Sequence, residues 1–269
     1  MHIRRRDFLK TSASTLLTAG CWPGAIRAAD KDVGAFHFIA VNDFHSLDKK
    51  CLPWFERAFK QMKAHKEPID FLLACGDLAN DGKKEQLGQI RDALKDLGIP
   101  FHAVCGNHDF QTQTDRKPYE ELFPEKINYH FEHKGWHFAG LDTSDGIKYQ
   151  KTNVQPHTLK YLDDTLPKLD KKKPLVVFTH FPLGETVNMR PLNAEDVLQR
   201  FKEHNLRAVY SGHFHGFTER KAGDTVLTTG KCCAFARGNH DGTKDKGYFL
   251  CKATKQGLIE RTFVEVKPA

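Results

Sequence analysis

Short apolar segments alternate with longer amphipathic segments along the first part of the chain. Residues 35–41, 69–75 and 100–105 are short apolar runs, which are typical of buried strands. Residues 52–66 and 83–97 carry apolar side chains at helical spacing. Strands that alternate with helices in this way favour parallel pairing through right-handed crossovers. The pattern therefore predicts an α/β fold.

The rest of the chain continues this alternation and then changes its character. Two apolar runs flank Lys134-Gly135 and predict a hairpin of residues 127–132 and 136–141. The other predicted elements are helices at 155–169 and 194–205, strands at 175–179 and 207–211, and antiparallel strands within 216–266. No strong linker and no repeat of roughly 20–50 residues divides the sequence. We therefore predict one domain over residues 30–269.

The first 29 residues have the organisation of an export signal. A basic head, Arg4–Lys10, precedes a weakly apolar stretch, Thr11–Ala19, and small residues follow up to Ala29. The apolar stretch is too short for a membrane span. Arg5-Arg6 followed by Asp-Phe-Leu-Lys closely resembles the bacterial twin-arginine signal, an address for the export of folded proteins. We therefore expect the twin-arginine export machinery as a partner, a periplasmic or exported protein, and no transmembrane span in the mature form.

Lipid attachment is an alternative for this signal. The segment Leu17-Thr18-Ala19-Gly20-Cys21 resembles a lipoprotein signal shifted by one residue, with Thr18 where leucine is preferred. In that case Cys21 would carry the anchor. The cleavage site stays open as well, because Ile26 or Arg27 occupies the position three residues before the cut.

Composition changes the expected partners more than the expected fold. Of the 269 residues, 28% are charged and 39% are hydrophobic, which excludes a disordered polyelectrolyte and a polytopic membrane protein. The formal net charge is +7, but residues 1–28 carry five basic side chains and one acidic one, so about +3 remains after cleavage. We therefore expect no nucleic-acid partner. Export implies an oxidising compartment in which the cysteines could pair, although nothing in their spacing fixes a connectivity.

Residues able to bind metal ions follow five of the predicted strands. They form the motifs Asp43-Phe44-His45, Gly76-Asp77, Gly106-Asn107-His108-Asp109, Thr179-His180 and Gly212-His213-Phe214-His215. In an open α/β sheet, ligands gather beyond the carboxyl ends of the strands, so we expect these motifs to converge. Carboxylate, imidazole and carboxamide groups are suitable ligands for Mn, Fe, Zn or Mg ions. The motifs contain no cysteine, which argues against a thiolate site. The motifs offer more such side chains than one tetrahedral ion can bind, and they suit two ions that share a carboxylate.

The ordered set of motifs resembles the calcineurin-like metallophosphoesterases. The pattern of that family is Asp-x-His, Gly-Asp, Gly-Asn-His-Asp/Glu, His and Gly-His-x-His, and the resemblance covers roughly residues 35–230. It implies a four-layer α/β/β/α sandwich. It also implies a metal-dependent phosphoric ester hydrolase in which a metal-bound hydroxide attacks a phosphate mono- or diester.

The resemblance assigns roles to individual residues. One metal ion would be bound by Asp43, His45 and His215, the other by Asn107, His180 and His213, and Asp77 would bridge the two. His108 resembles the family's catalytic histidine, which protonates the leaving group. Asp109 would be its orienting partner.

A second Gly-Asn-His-Asp motif occupies residues 238–241, after the last of the family motifs. Its position and its glycine-rich, basic surroundings argue against a metal site. The segment resembles a C-terminal loop that approaches the site in some family branches, and we hypothesise that Arg237 or His240 contacts the substrate. A solvated loop is the alternative.

The order of the motifs gives little information about the substrate. Residues 76–82 resemble the cyclic-nucleotide phosphodiesterase branch, and Asn80 stands where purple acid phosphatases have a tyrosine ligand. We expect a phosphate ester of a small molecule or a lipid as the partner. The alternative from another class is a non-catalytic metal- or phosphate-binding protein of the same fold, although such a protein has no need of a leaving-group acid at His108.

Overall fold

The computed structural model describes residues 33–267, which contain eleven strands. In chain order these are β1 (Phe36–Val41), β2 (Ile69–Cys75), β3 (Phe101–Val104), β4 (Tyr129–His133), β5 (Trp136–Leu141), β6 (Pro174–Thr179), β7 (Asn205–Ser211), β8 (Thr218–Ala222), β9 (Thr225–Thr229), β10 (Gly247–Ala253) and β11 (Ile259–Glu265). The helices are α1 (Leu52–Lys63), α2 (Lys84–Leu97), α3 (Lys117–Leu122), α4 (Pro156–Thr165) and α5 (Ala194–Arg200).

The strands form two mixed sheets. The first has the order β11-β10-β1-β2-β3, and the second has the order β4-β5-β6-β7-β9-β8. In the first sheet β1, β2 and β3 run parallel, and in the second sheet β5, β6, β7 and β9 do. Each sheet therefore has a parallel core whose strands end at a common edge.

The two sheets pack face to face around a cluster of aromatic side chains. Phe71 is 2% exposed, and its ring centroid lies 5.5 Å from that of Phe38 and 5.1 Å from that of Phe138 in the opposite sheet. The outer face of the first sheet is covered by α1 and α2 through residues such as Phe55 and Ile90. The outer face of the second sheet is covered by α4 and α5. This confirms the four-layer α/β/β/α sandwich.

Most predicted elements are present, and the differences have local causes. The hairpin turns at Lys134 and Gly135, which both have positive φ (46° and 81°), as a tight two-residue turn requires. The predicted helix 194–205 ends at Arg200, a turn follows, and Asn205 already begins β7. The short helix α3 was not predicted. Its six residues are too few for a helical period to be recognised.

The prediction for residues 216–266 was wrong in one respect. These strands were expected to be antiparallel throughout, but β9 pairs in parallel with β7 and antiparallel only with β8. The chain then crosses from the second sheet to the first, where β10 pairs antiparallel with β1. Pairing between distant segments, rather than the local pattern, decides these directions.

The predicted export signal, including Cys21, lies outside the described residues. Within residues 33–267, six cysteines are buried and unbridged: Cys51, Cys75, Cys105, Cys232, Cys233 and Cys251. Burial of their small apolar side chains accounts for these positions. Among the described helices, none combines the length and the hydropathy that a membrane span needs.

Candidate metal and catalytic site

The five motifs converge at the carboxyl ends of the parallel strands, as the sequence predicts. Strands β1, β2 and β3 of the first sheet and β6 and β7 of the second lead directly into them. Asp43, His45, Asp77, His213 and His215 all have positive φ, between 45° and 65°. That backbone costs an L-residue about 1–2 kcal/mol. Strain of this kind persists only where the surrounding structure holds it in place, and it is characteristic of functional sites.

The first group of potential ligands consists of Asp43, His45, Asp77 and His215. All four are buried, and one ligand atom from each lies within 4.8 Å of the others. His45 Nε2 lies 3.0 Å from His215 Nε2 and 3.5 Å from Asp77 Oδ2. His215 Nε2 lies 3.2 Å from Asp43 Oδ1. These are the four residues that the family resemblance assigns to one metal ion and the bridge.

The second group consists of Asp77, His180 and His213, with Asn107 beside it. His180 Nε2 lies 3.2 Å from Asp77 Oδ1 and 3.1 Å from Asn107 Oδ1. His213 Nδ1 lies 3.2 Å from His180 Nε2. Asp77 belongs to both groups. One carboxylate shared by two ligand sets is the arrangement expected of a bridge between two ions.

The hydrogen bonds of the histidines leave ring nitrogens that can bind a cation. His180 Nδ1 donates to Cys75 O at 3.0 Å, and His213 Nε2 donates to Tyr149 O at 2.7 Å. Their facing nitrogens, His180 Nε2 and His213 Nδ1, then both carry lone pairs in the neutral rings. Two such lone pairs 3.2 Å apart need a proton or a cation between them. Backbone carbonyls that fix the other ring nitrogen are typical partners of metal-binding histidines.

The electrostatics of the site also favour positive charge. Burial would raise the pKa of Asp43, but His215 outweighs it and holds that pKa well below its usual range. Burial would lower the pKa of His215, but Asp43 raises it to about 11. In the same way, Asp77 raises the pKa of His180 to about 9 against the effect of burial. The carboxylates are therefore ionised, and divalent cations would supply the balancing charge when bound.

His108 lies at the rim of this site. Its backbone N–H donates to Asp77 Oδ1 at 2.9 Å, and its ring centroid lies 4.8 Å from that of His45. Its Nδ1 donates to Asn80 O at 2.7 Å, which leaves Nε2 for a substrate. His108 lines a cavity of about 450 Å³ together with His45, Asp77 and Asn107.

The structure corrects the contact that was expected of Asp109. Its carboxylate does not orient the ring of His108. Instead, Oδ1 accepts from Ala79 N and Oδ2 accepts from Gly106 N, both at 2.8 Å. Burial, with a contribution from Asp77, raises the pKa of Asp109 to about 8. Asp109 therefore ties together the loops after β2 and β3, and the carbonyl of Asn80 orients His108.

Arg237 and His240 both line the cavity, on the loop between β9 and β10. Arg237 Nε donates to Asn80 Oδ1 at 3.0 Å, and its Nη2 lies 3.5 Å from His108 Nδ1. The ring of His240 stacks on that of His215, with centroids 4.7 Å apart and an interplanar angle of 14°. Gly238 O accepts from His215 Nδ1 at 3.0 Å. The second Gly-Asn-His-Asp motif thus supports the potential ligand His215 and does not form a third ligand group among the described residues.

Sequence reasoning missed Asn42, Asn80 and Tyr149 as supporting residues. Asn42 Nδ2 donates to Asp43 Oδ2 and to Gly230 O, which links the first motif to the end of β9. Asn80 contributes its side chain to Arg237 and its carbonyl to His108. Tyr149 acts on His213 through its backbone carbonyl, which no side-chain motif can reveal. The positions of Asn42, immediately before Asp43, and of Asn80, three residues after Asp77, were the only signals visible in the sequence.

Gly106→Ala tests whether close backbone packing sets the bridging carboxylate. A Cβ at Gly106 would overlap both the carboxylate and the backbone nitrogen of Asp77. We expect metal affinity to fall by about 10–100-fold, as for loss of other supporting contacts around a metal. Titration calorimetry with Mn²⁺ measures the effect. Gly88→Ala is the matched control, because a Cβ there meets no atom within 4 Å, and its affinity should equal that of the wild type.

The fold and the site together define a metal-dependent hydrolase class in which two α/β halves meet at one cluster of ligands. Residues 36–217 match the family described as calcineurin-like phosphoesterase. The chain belongs to this family.

Its relatives include both phosphodiesterases and phosphatases. The chain is 24% identical over 236 residues to the 3′,5′-cyclic adenosine monophosphate phosphodiesterase CpdA of Pseudomonas aeruginosa, covering 83% of this chain and 85% of the relative. It is 24% identical over 276 residues to the serine/threonine-protein phosphatase CPPED1 of Danio rerio, covering 89% and 85%. The prediction of a metal-dependent phosphoric ester hydrolase is thus confirmed at the level of its class.

A solved structure shares the fold at lower sequence identity. The chain superposes on GAP50, described as the anchor in the inner membrane complex of Plasmodium, with a TM-score of 0.64 and 18% identity. The match covers 87% of this chain and 85% of GAP50. This likeness supports the fold.

Proposed function

We propose that the protein is an exported phosphoesterase that uses two divalent metal ions to hydrolyse a phosphate mono- or diester. The observation that carries the proposal is the sharing of Asp77 by two buried ligand groups, with His108 beside them. Asp43, His45 and His215 would hold one ion, and Asn107, His180 and His213 the other. When bound, Mn, Fe, Zn or Mg ions would polarise the phosphate and activate water for in-line attack.

The chain's own residues would do three things in this reaction. The carbonyls of Cys75, Tyr149 and Gly238 fix the tautomers of three histidines, so their other nitrogens are free to bind. His108, oriented by Asn80 O, gives a proton from Nε2 to the departing oxygen. Arg237 adds a positive charge for the phosphate near that oxygen.

The first test is a panel of phosphate esters with metal supplementation. It should cover p-nitrophenyl phosphate, cyclic and linear diesters, and lipid phosphates, each assayed with Mn²⁺ added. We expect turnover of at least one ester class and its loss in Asn107→Ala. Metal bound without turnover of any ester would favour the second candidate, a non-catalytic metal- or phosphate-binding protein of the same fold.

Export through the twin-arginine route is the second part of the proposal. It rests on the sequence of residues 1–29 and on the fact that this route carries folded proteins. Replacing Arg5 and Arg6 together by lysine should retain the protein in the cytoplasm as the uncleaved precursor. Cell fractionation with immunoblotting measures the distribution. Unchanged periplasmic recovery would argue against this route, and a lipid-labelled wild type would indicate attachment at Cys21.

Arg237→Ala and His240→Ala test the proposed substrate contacts. We expect kcat/KM on the best ester of the panel to fall by about 10–100-fold for Arg237→Ala, the value of a hydrogen bond to a charged group. The loss of kcat/KM for His240→Ala should be smaller, because the ring of His240 is already engaged in stacking on the ring of His215. Arg91→Ala, which removes an arginine paired with Asp92 on α2, is the control. Unchanged kcat/KM in both variants would leave this loop without a substrate role.

A further inference from the structure

An apolar wall forms part of the cavity that contains His108. Ile147, Tyr149, Met189 and Phe110 line this cavity together with the metal-binding residues. Ile147 and Tyr149 are 50% and 57% exposed, although both are large apolar side chains. Exposed apolar side chains that cluster at the mouth of a polar cavity are typical of ligand contact. Neither the ligand set nor the acid His108 explains why they are there.

The backbone that carries the start of the wall is fixed beside the second ligand group. Tyr149 O accepts from Nε2 of His213, which places the start of the wall one hydrogen bond from the second ligand group. Gly146, with a φ of +58°, packs so closely on Gln113 that a Cβ would overlap the Gln113 carbonyl. Gln113 Nε2 in turn donates to Asp145 O at 3.0 Å. An organic group attached directly to a phosphate at the ligand groups would therefore be the part of a substrate nearest to Tyr149.

We infer that the substrate carries a planar apolar group next to its phosphate, and that Tyr149 selects for this group. This inference rests on the proposed function, because it places the phosphate on the ligand groups around Asp77. The ring of Tyr149 and the thioether of Met189 both make favourable contacts with an aromatic face. The cavity volume of about 450 Å³ accommodates a phosphate and a ring system.

Phosphonates provide a test that does not depend on turnover. Methylphosphonate, phenylphosphonate and octylphosphonate present the same anion with only a methyl group, with a planar group or with a flexible chain. We expect the Mn²⁺-loaded protein to bind phenylphosphonate about tenfold more tightly than methylphosphonate by titration calorimetry. The ratio should fall to about 1–2 in Tyr149→Ala and stay near the wild-type value in Tyr149→Phe. Both variants keep the backbone carbonyl that fixes His213.

The outcomes separate this inference from the proposed function. Equal ratios in the wild type and Tyr149→Ala would overturn the role of the wall, whatever the enzyme hydrolyses. Tighter binding of octylphosphonate than of phenylphosphonate would overturn the inference of a planar group and would favour a lipid chain. An absence of turnover on every ester would count against the proposed reaction. The ratio of phosphonate affinities would still show whether the apolar wall contacts the ligand. Leu258→Ala, which removes an equally exposed apolar side chain outside the cavity, should leave all three affinities unchanged.

Discussion

Asp77→Asn should abolish the binding of both metal ions and most of the hydrolytic activity. Asp77 belongs to both ligand groups, and its two oxygens face different histidines, Oδ1 towards His180 and Oδ2 towards His45. An amide keeps the shape but loses the charge and one of the two oxygens. We expect kcat/KM to fall by at least about 10³-fold, because bound metal ions supply several kcal/mol to the transition state.

Metal analysis by mass spectrometry tests whether the loss of activity in Asp77→Asn comes from the loss of bound ions. The wild type should retain close to two ions per chain, and Asp77→Asn should retain neither at the same free metal concentration. His180→Ala should lose only the ion of the second group. Asp81→Asn is the matched control, because Asp81 lines the same cavity without belonging to either group. Retention of both ions by Asp77→Asn would contradict a bridging role.

His108→Gln should affect esters with poor leaving groups far more than those with good ones. His108 is oriented through Nδ1 by Asn80 O and belongs to neither ligand group, so its removal leaves metal binding intact. We expect kcat on an alkyl ester to fall by about 10²–10⁴-fold, the usual contribution of a general acid. The p-nitrophenolate group needs no proton to depart, so kcat on that ester should fall much less.

The measurement is a comparison of two esters that differ only in the leaving group, in the wild type and in His108→Gln. A plot of log kcat against leaving-group pKa should become steeper in the variant. An equal loss on both esters would assign His108 to binding or to positioning instead. Unchanged metal content, determined in parallel, separates these cases from damage to the ligand groups.

The architecture and the convergence of the five motifs were predictable from sequence for the same reason. Each ligand motif follows an apolar strand, and parallel strands end at a common edge, so a local pattern carried long-range information. His180 and Asp77 meet although they are separated by more than a hundred residues. The family resemblance then divided the ligands into the two groups that the structure brings together.

Contacts made through the backbone could not be predicted in this way. The partner of His108 is a carbonyl, that of Asn80, and the partner of His213 is the carbonyl of Tyr149. Any residue type can supply such a group, so the sequence carries no signal for it. The neighbouring position of Asp109 suggested a contact with His108, but its buried carboxylate binds two backbone N–H groups instead. The parallel pairing of β9 was missed because strand direction depends on a partner outside the segment.

The place of β10 beside β1 has a consequence for the order in which the site can be built. Strand β1 is among the first parts of the described chain to leave the ribosome, yet one of its two edges stays open until residues 247–253 arrive. Until then its unpaired backbone is a template for pairing with other chains. Until then the segment that carries Asp43 and His45, directly after β1, is supported from one side only, by β2 and the loop that follows β2. Premature termination before β10 should yield aggregation-prone fragments rather than partly active enzyme. The twin-arginine route proposed above, which carries folded proteins, would then act only after the last hairpin has closed.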